Sequence, residues 1–170
     1  MSTSDFLRLI AGGIIALVSS YVGILVKNGY KDNTKLYKDL IEFCDLYKGE
    51  LSYEKATLID IISRFCANKK GKTADIFKEY AKDMQSSGQF FRDVEKWNVA
   101  HLKKEQKQEI LDFLNGLGKS GTTEQMSFVN KHLESFSKRK KQAEEDEKKK
   151  GNMFFKLFVL LGIALMVIVG

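Results

Sequence analysis

The 170-residue sequence contains no proline, and its strand signals are equally sparse. No apolar run alternates with polar residues over the length of a strand, and no Asn-Gly pair connects two such runs. Proline is the residue that most often breaks a helix, and an alternation with a period of two is the main sign of a half-buried strand. Together these absences favour helices, and we predict an all-α fold.

Histidine and cysteine are scarce as well, with two of each. His101 and His132 are not grouped with cysteines at metal-ligand spacing, so no zinc site is indicated. We expect His101 to be exposed or at the rim of the body, and His132 to pack on the last soluble helix. Cys44 and Cys66 lie on apolar faces and are expected to be buried free thiols. With no nucleophile-elbow serine either, we predict that the protein is not an enzyme and carries no metal or cofactor.

Charge is absent from two long stretches near the ends of the chain. Residues 9–26 form an uncharged run of 18 residues, and residues 157–170 form one of 14. Residues 153–156 extend the second run, because the long side chain of Lys156 can place its ammonium at head-group level. A bilayer core requires about 17 to 25 apolar residues in a helix. We therefore predict transmembrane helices over residues 9–26 and 153–170.

A cleaved signal peptide is the alternative for the first of these runs. Only Arg8 and the amino terminus supply positive charge before it, and no A-x-A cleavage site follows it. We therefore predict that the helix is retained in the protein.

Lysines are concentrated after the first uncharged run and before the second, and this asymmetry determines the predicted orientation. Excess Lys and Arg remain on the cytoplasmic side of a membrane, so residues 1–8 form a short extracytoplasmic tail and residues 27–152 a cytoplasmic domain. That domain has 26 Lys+Arg against 21 Asp+Glu, a balance that suits an anionic leaflet and is too mild to indicate nucleic acid. The lysines concerned are Lys27, Lys31, Lys35, Lys38, Lys148, Lys149 and Lys150.

Between the two membrane helices, the apolar periodicity predicts a bundle of about six helices. Their apolar faces run from Tyr37 to Leu51, Leu58 to Phe65, Ile76 to Met84, Phe90 to Trp97, Leu102 to Leu117 and Met126 to Phe136.

Polar residues and glycines mark the expected helix ends. Gly49 is expected to interrupt the first soluble helix, and Gly118 is expected to take a left-handed conformation after the fifth. The predicted N-caps are Asn33 or Thr34 for the first soluble helix, Thr73 for the third, and Thr122 or Thr123 for the last.

The charged run at residues 138–150 is predicted to be a solvated helix that carries the last soluble helix straight into the membrane. Its signs alternate in blocks, which brings opposite charges together at a spacing of four residues. The predicted pairs are Lys140 with Glu144, Lys141 with Glu145, and Glu145 with Lys149.

Gly71-Lys72-Thr73 is the one triplet that suggests a phosphate-binding loop. Such a loop requires another glycine five residues before the first residue of the triplet, between a strand and a helix. Cys66 stands there, and a helix is predicted before it. We interpret the triplet as a helix break followed by an N-cap.

Two short elements carry a resemblance to a known family. Glu50-Leu51-Ser52-Tyr53 fits the pattern E-[IL]-x-Y, and Leu117-Gly118-Lys119-Ser120 followed by Gln125 fits L-G-x-S-x-x-x-x-Q. They occur in order between two membrane helices, with Trp97 between them and a lysine-rich run before the second membrane helix. Over nearly its whole length the chain resembles the stage III sporulation protein AB family.

The chain departs from the family pattern at three places. Gly121 stands where the family commonly has an acid, and Phe158 where it commonly has a glycine in the final membrane helix. The proline that often opens the second soluble helix is absent.

The resemblance implies a helical domain similar to those of type II secretion system F proteins. It implies a non-enzymatic scaffold in the mother-cell membrane around the forespore, within the channel complex that links the two cells. The implied partners are a secretion-type ATPase, other membrane subunits of the channel and membrane lipid, with a homo-oligomer left open and no nucleic acid expected. A different class of function is a membrane-tethered basic module that binds anionic lipid or nucleic acid, which high salt would weaken steeply.

Within the two elements, two roles remain open for the polar side chains. Glu50 and Gln125 either make local hydrogen bonds at helix ends or contact a partner. Leu51, Tyr53, Leu117, Gly118 and Ser120 complete the residues that the family pattern marks.

Overall fold

A computed structural model describes residues 3–53, 56–67, 69–87 and 101–169. Helices dominate these ranges, and no strand occurs within them, which confirms the all-α fold. The helices are α1 (Thr3–Tyr53), α2 (Leu58–Ala67), α3 (Lys72–Ser87), α4 (Lys104–Gly116), α5 (Thr122–Asp146) and α6 (Asn152–Val169), with a π-helical segment (Glu147–Gly151) between the last two.

The chain divides into two compact units. One comprises residues 1–31 and 142–170, and the other residues 32–141. We refer to them as the apolar unit and the soluble body. The predicted helix from Phe90 to Trp97 lies outside the described residues.

Aromatic rings from five helices form the centre of the soluble body. Phe43 of α1 contacts Phe77 of α3 and Phe65 of α2, with centroid distances of 4.4 and 5.3 Å. Phe113 of α4 lies 6.2 Å from Phe43 and 5.2 Å from Phe136 of α5, both edge to face. Each such pair contributes about 0.5 to 1.5 kcal/mol beyond the area that it buries.

Phe43 is a core residue that the predicted apolar face of α1 omits. It lies three residues after Leu40 and four before Tyr47, so a second stripe runs beside the predicted one. Both stripes are buried because α1 packs against α2, α3 and α4 in this body. A helix surrounded by neighbours has a wider apolar face than a single 3-and-4 spacing predicts.

The predicted cap at Asn33 or Thr34 is wrong, because α1 continues without interruption through both residues. Gly49 does not end the helix either. Asn, Asp and glycine in this stretch lower helix propensity, but none of them blocks a helix as proline would. Packing of the apolar face then decides the conformation.

The other predicted caps are displaced by one or two residues. Lys72 is the first residue of α3, which makes Gly71 rather than Thr73 the residue before it. Thr122 is the first residue of α5, and the preceding Gly121 receives support from Glu124, whose Oε2 accepts the Gly121 N–H at 3.0 Å. The fifth predicted helix begins at Lys104 rather than Leu102.

Small residues line the contact between α1 and α6 in the apolar unit. A Cβ added to Gly12 would lie 3.1 Å from Met166 Cγ, and one added to Gly162 would lie 2.9 Å from Ser19 Cβ. The Ser19 hydroxyl donates a hydrogen bond of 2.6 Å to the Phe158 carbonyl. Close backbone approach and interhelical hydrogen bonds of this kind are typical of packing between membrane helices.

Many of the exposed side chains at residues 10–26 and 153–168 of the apolar unit are aliphatic. Leu17 is 73% exposed on α1, and Val167 is 76% exposed on α6. Within the described residues, the helical stretches 10–52 and 122–168 are long and apolar enough to cross a membrane. Only 11% of the most apolar window of each stretch is buried. These two candidate spans overlap the predicted membrane segments at residues 10–26 and 153–168.

The charged run is helical and solvated, as predicted, but its geometry changes before α6. Residues 147–151 form a π-helical segment rather than a continuous α-helix. The predicted pair of Glu145 with Lys149 is present, with an N–O distance of 3.7 Å and both side chains largely exposed.

Candidate functional site

Gln125 is the buried centre of the second family element. It lies in the first turn of α5, and 2% of its surface is exposed. Its Oε1 accepts hydrogen bonds from the Gly118 N–H and from the Tyr47 hydroxyl, each at 3.2 Å. Its Nε2 donates to the Gly116 carbonyl at 2.9 Å and to Ser120 Oγ at 3.0 Å. Both the oxygen and the nitrogen of the side-chain amide are therefore hydrogen-bonded within the protein, as is usual for a buried polar group.

These bonds set the shape of the connection between α4 and α5. Leu117 is buried and ends α4, and its N–H donates to the Leu114 carbonyl at 3.3 Å. Gly118 follows with a φ of +71°, which confirms the predicted left-handed conformation. Residues 118–124 are nevertheless exposed. Gln125 thus holds an exposed loop in a defined shape from beneath.

Tyr47 is a member of this site that the family pattern did not indicate. It lies on α1, and its ring is buried beside Phe43 with centroids 5.9 Å apart. Burial raises the pKa of the Tyr47 hydroxyl, so the group stays neutral and remains a hydrogen-bond donor. The sequence places Tyr47 on the predicted apolar face of α1, but it does not indicate a contact with Gln125.

Gly116 allows α4 and α5 to approach closely next to this site. A Cβ at Gly116 would overlap the Phe128 ring, closer than real Cβ atoms come to another atom. The Phe128 ring in turn stacks on Phe113 with centroids 6.1 Å apart. The tight contact brings the Gly116 carbonyl within reach of the Gln125 amide.

The first family element occupies the end of α1 and connects it to α2. Glu50 Oε1 accepts a hydrogen bond of 2.7 Å from Arg64 Nη1, and the Arg64 side chain is 60% exposed. Leu51 is half-buried, and the backbone of Tyr53 is the last of α1. The structure thus assembles Leu117, Gly118 and Ser120 around Gln125, while Glu50 pairs with α2 instead.

A second polar contact set, which the sequence patterns did not indicate, joins the α2–α3 connection to α1. Lys69 Nζ lies 3.1 Å from Asp39 Oδ1 and 2.7 Å from Glu42 Oε2, and Asp39 is nearly fully buried. The hydrogen bond to Glu42 is the main cause that raises the pKa of Lys69. Lys72 pairs with Asp32 at 3.0 Å.

Gly71 is the last residue of the break between α2 and α3, and Lys72 and Thr73 already belong to α3, so a helix break is present but Thr73 is not its N-cap. Gly71 has a φ of +101°, and Thr73 is buried. Because the connection joins two helices and Lys72 pairs with Asp32, its geometry differs from the strand-to-helix loop that cradles phosphates.

The histidines and cysteines occupy the places that the sequence predicted. Both thiols are free and buried, and burial raises the pKa of Cys44 to about 12, which disfavours the reactive thiolate. His132 packs among Phe113, Phe128 and Phe136, and burial lowers its pKa. His101 is exposed. Within the described ranges, no group of three His, Cys, Asp or Glu could hold a metal ion.

The family profile of stage III sporulation protein AB matches residues 8–169, nearly the whole chain. The chain belongs to the stage III sporulation protein AB family. No curated protein and no solved structure matches it.

Membership gives the protein a role in sporulation. The structure also shows which residue faces Phe158, the position where the resemblance leads us to expect a glycine. A Cβ added to Gly23 of α1 would lie 3.1 Å from Phe158 Cβ, so a small residue on the facing helix accommodates the larger one. Close packing of α1 and α6 at this level therefore depends on Gly23 of α1.

Proposed function

We propose that this stage III sporulation AB protein is a non-enzymatic scaffold of the channel complex between mother cell and forespore, where it docks a secretion-type ATPase. The family match over residues 8–169 is the observation that carries this proposal. The raised pKa of Cys44 and the aromatic packing of His132 support a structural role, because neither group is placed as a nucleophile or general base.

The α4–α5 loop is the part of the soluble body that best fits a docking surface. Lys119 and Ser120 are exposed there, directly above a buried glutamine whose polar atoms are all in use. A loop held in one shape loses little conformational entropy when a partner binds it. Gln125 would therefore support docking from beneath, while the exposed loop residues make the contact.

The pair of half-buried Glu50 and exposed Arg64 forms a second surface that would contact a partner in this proposal. Its side chains are partly solvated, so their mutual attraction contributes at most about 1 kcal/mol to folding. Replacing Glu50 with alanine should therefore leave the body folded while removing a charge from this surface.

Deletion of the gene tests the function at the level of the cell. Vegetative growth should be normal, and spore development should stall after engulfment, because the channel is needed only once the forespore is enclosed. A copy of the wild-type gene at another site should restore spores. Normal spore yield in the deletion strain would reject the proposal.

A further inference from the structure

One end of the apolar unit gathers lysines from two distant parts of the sequence. Residues 27–31 and 147–156 together contain six lysines and one carboxylate, that of Glu147. We call these six lysines the basic collar. They are Lys27, Lys31, Lys148, Lys149, Lys150 and Lys156.

Direct contacts between α1 and the segment around Gly151 bring the two groups together. A Cβ on the buried Gly151 would lie 3.6 Å from Tyr30 Cβ and 3.7 Å from Lys27 Cγ. Lys27 Nζ lies 5.6 Å above the centre of the Phe155 ring, and the Tyr30 and Phe154 rings stack at 6.5 Å. Lysines of both segments are therefore neighbours at the place where the aliphatic surface of the unit begins.

The π-helical segment concentrates Lys148, Lys149 and Lys150 further. A π-helix has more residues per turn than an α-helix, so consecutive side chains are separated by a smaller angle. Three successive lysines then point over a narrower arc than they would on an α-helix. Such segments inside α-helices occur frequently at functional sites.

Acids reduce this charge only in part. Lys149 pairs with Glu145 at 3.7 Å and Lys150 with Asp146 at 2.8 Å, but each lysine is more than half exposed. Exposed pairs of this kind are weak and exchange readily for another anion.

From this arrangement we propose that the basic collar is a binding site for the head group of an anionic phospholipid. Lysine ammonium groups supply the charge that a phosphodiester requires. Tyr30, which stacks on Phe154, supplies an amphipathic ring that favours the level of the head groups. The adjoining aliphatic surface of α6, with Leu157 and Leu160 exposed, matches the acyl chains of the same lipid. A bilayer lipid satisfies both requirements at once, whereas free phosphate or nucleic acid satisfies only the first.

Electron paramagnetic resonance of spin-labelled lipids around the full-length protein tests the site. In phosphatidylcholine vesicles with a minor fraction of phosphatidylglycerol, the motionally restricted population should prefer spin-labelled phosphatidylglycerol over phosphatidylcholine. The variant K27Q/K148Q/K149Q should lose most of this preference. Each lysine removed should lower the preference for phosphatidylglycerol by up to about fivefold, because one lysine near an anionic surface contributes about 1 kcal/mol.

Matched variants separate charge at the collar from charge elsewhere. K78Q/K82Q/K119Q removes the same charge from the soluble body and should leave the preference unchanged. K27R/K148R/K149R keeps the charge and should retain it, and K148Q/K149Q, which changes only exposed side chains, should still lower it. Equal association of the two lipids with the wild type, or a full preference in the glutamine triple variant, would overturn the proposal.

Soluble competitors identify the ligand class. Inorganic phosphate or a single-stranded RNA oligonucleotide at the concentration of the lipid should not reduce the preference. If either displaced the labelled lipid, the site would be one for soluble phosphate or for nucleic acid, and the lipid assignment would fail.

Discussion

At the scale of single residues, Gly118 and Gln125 lie at positions where geometry allows few alternatives. Gly118 has a left-handed φ, and Gln125 bonds both sides of the turn that contains it. The sequence predicted the glycine conformation because a helix end followed by glycine is a strong signal. It did not predict the contact between Tyr47 and Gln125. The two helices are far apart in the sequence, and the pattern within each helix does not show which of their side chains meet.

Replacement of Gly118 by valine tests the left-handed conformation. A β-branched residue at a φ of +71° is sterically strained, and we expect the variant to lose about 1 to 3 kcal/mol of unfolding free energy. Chemical denaturation of the protein measures the difference. Gly49→Ala is the control: Gly49 is helical with open space at its Cβ position, so this variant should gain about 0.5 to 1 kcal/mol. Equal stability of Gly118→Val and the wild type would contradict the conformation.

His132 predicts how the stability of the soluble body depends on pH. Burial lowers its pKa in the folded state, so the unfolded state binds a proton more readily. Stability should therefore be complete above the unfolded value of about 6.5 and should fall as the pH drops below it. Glu109 and Asp112 face the ring and oppose the shift, and Lys131 adds to it.

Denaturation at a series of pH values from neutral to mildly acidic measures this effect. The variant His132→Leu should reduce the loss on acidification, whereas His101→Gln, which changes an exposed histidine, should preserve it. The prediction fails if His132→Leu and the wild type lose stability in parallel.

At the scale of elements, helix type and order were predictable, while helix ends were less so. Apolar periodicity predicted α2 through α5 because each has one buried face. The sequence does not predict the extension of α1 through Asn33 and Thr34, because these weak helix formers also suit a helix cap. The π-helical segment gives no pattern of its own in the sequence, since the lysines that form it also suit a solvated α-helix.

Cysteine cross-linking tests the contact between α1 and α6. The pair Gly12→Cys and Met166→Cys should form a disulfide in membranes under mild oxidation, because the two positions are adjacent. Adding Gly162→Leu should prevent it, since a Cβ there already meets Ser19 and Ala16. Gly13→Leu is the matched control, as nothing lies within 4 Å of its Cβ position. Cross-linking that Gly162→Leu does not reduce would contradict this packing.

At the scale of the whole molecule, the all-α fold and the family could be predicted from the sequence, and both are confirmed. The chain divides into an apolar unit and a soluble body, and the apolar unit includes both uncharged runs of the sequence. Orientation and partners remain predictions, because they depend on the membrane and on other proteins rather than on contacts within this chain.

The lysine asymmetry predicts the orientation, which reporter fusions measure. A reporter after Gly170 should be active outside the cytoplasm, and one inserted at the exposed Ser120 should be active within it. The opposite pattern would reject the cytoplasmic placement of the soluble body, and with it the proposed docking of a cytosolic ATPase.

Affinity purification of the intact protein from sporulating cells tests the scaffold proposal most directly. We expect a secretion-type ATPase and membrane subunits of the channel to co-purify with the wild type. The variant Lys119→Glu, which changes only the exposed loop, should lose the ATPase, and Lys82→Glu on the exposed face of α3 should retain it. If no ATPase co-purified with the wild type, or if Lys119→Glu retained it as fully as Lys82→Glu, docking through the α4–α5 loop would be contradicted.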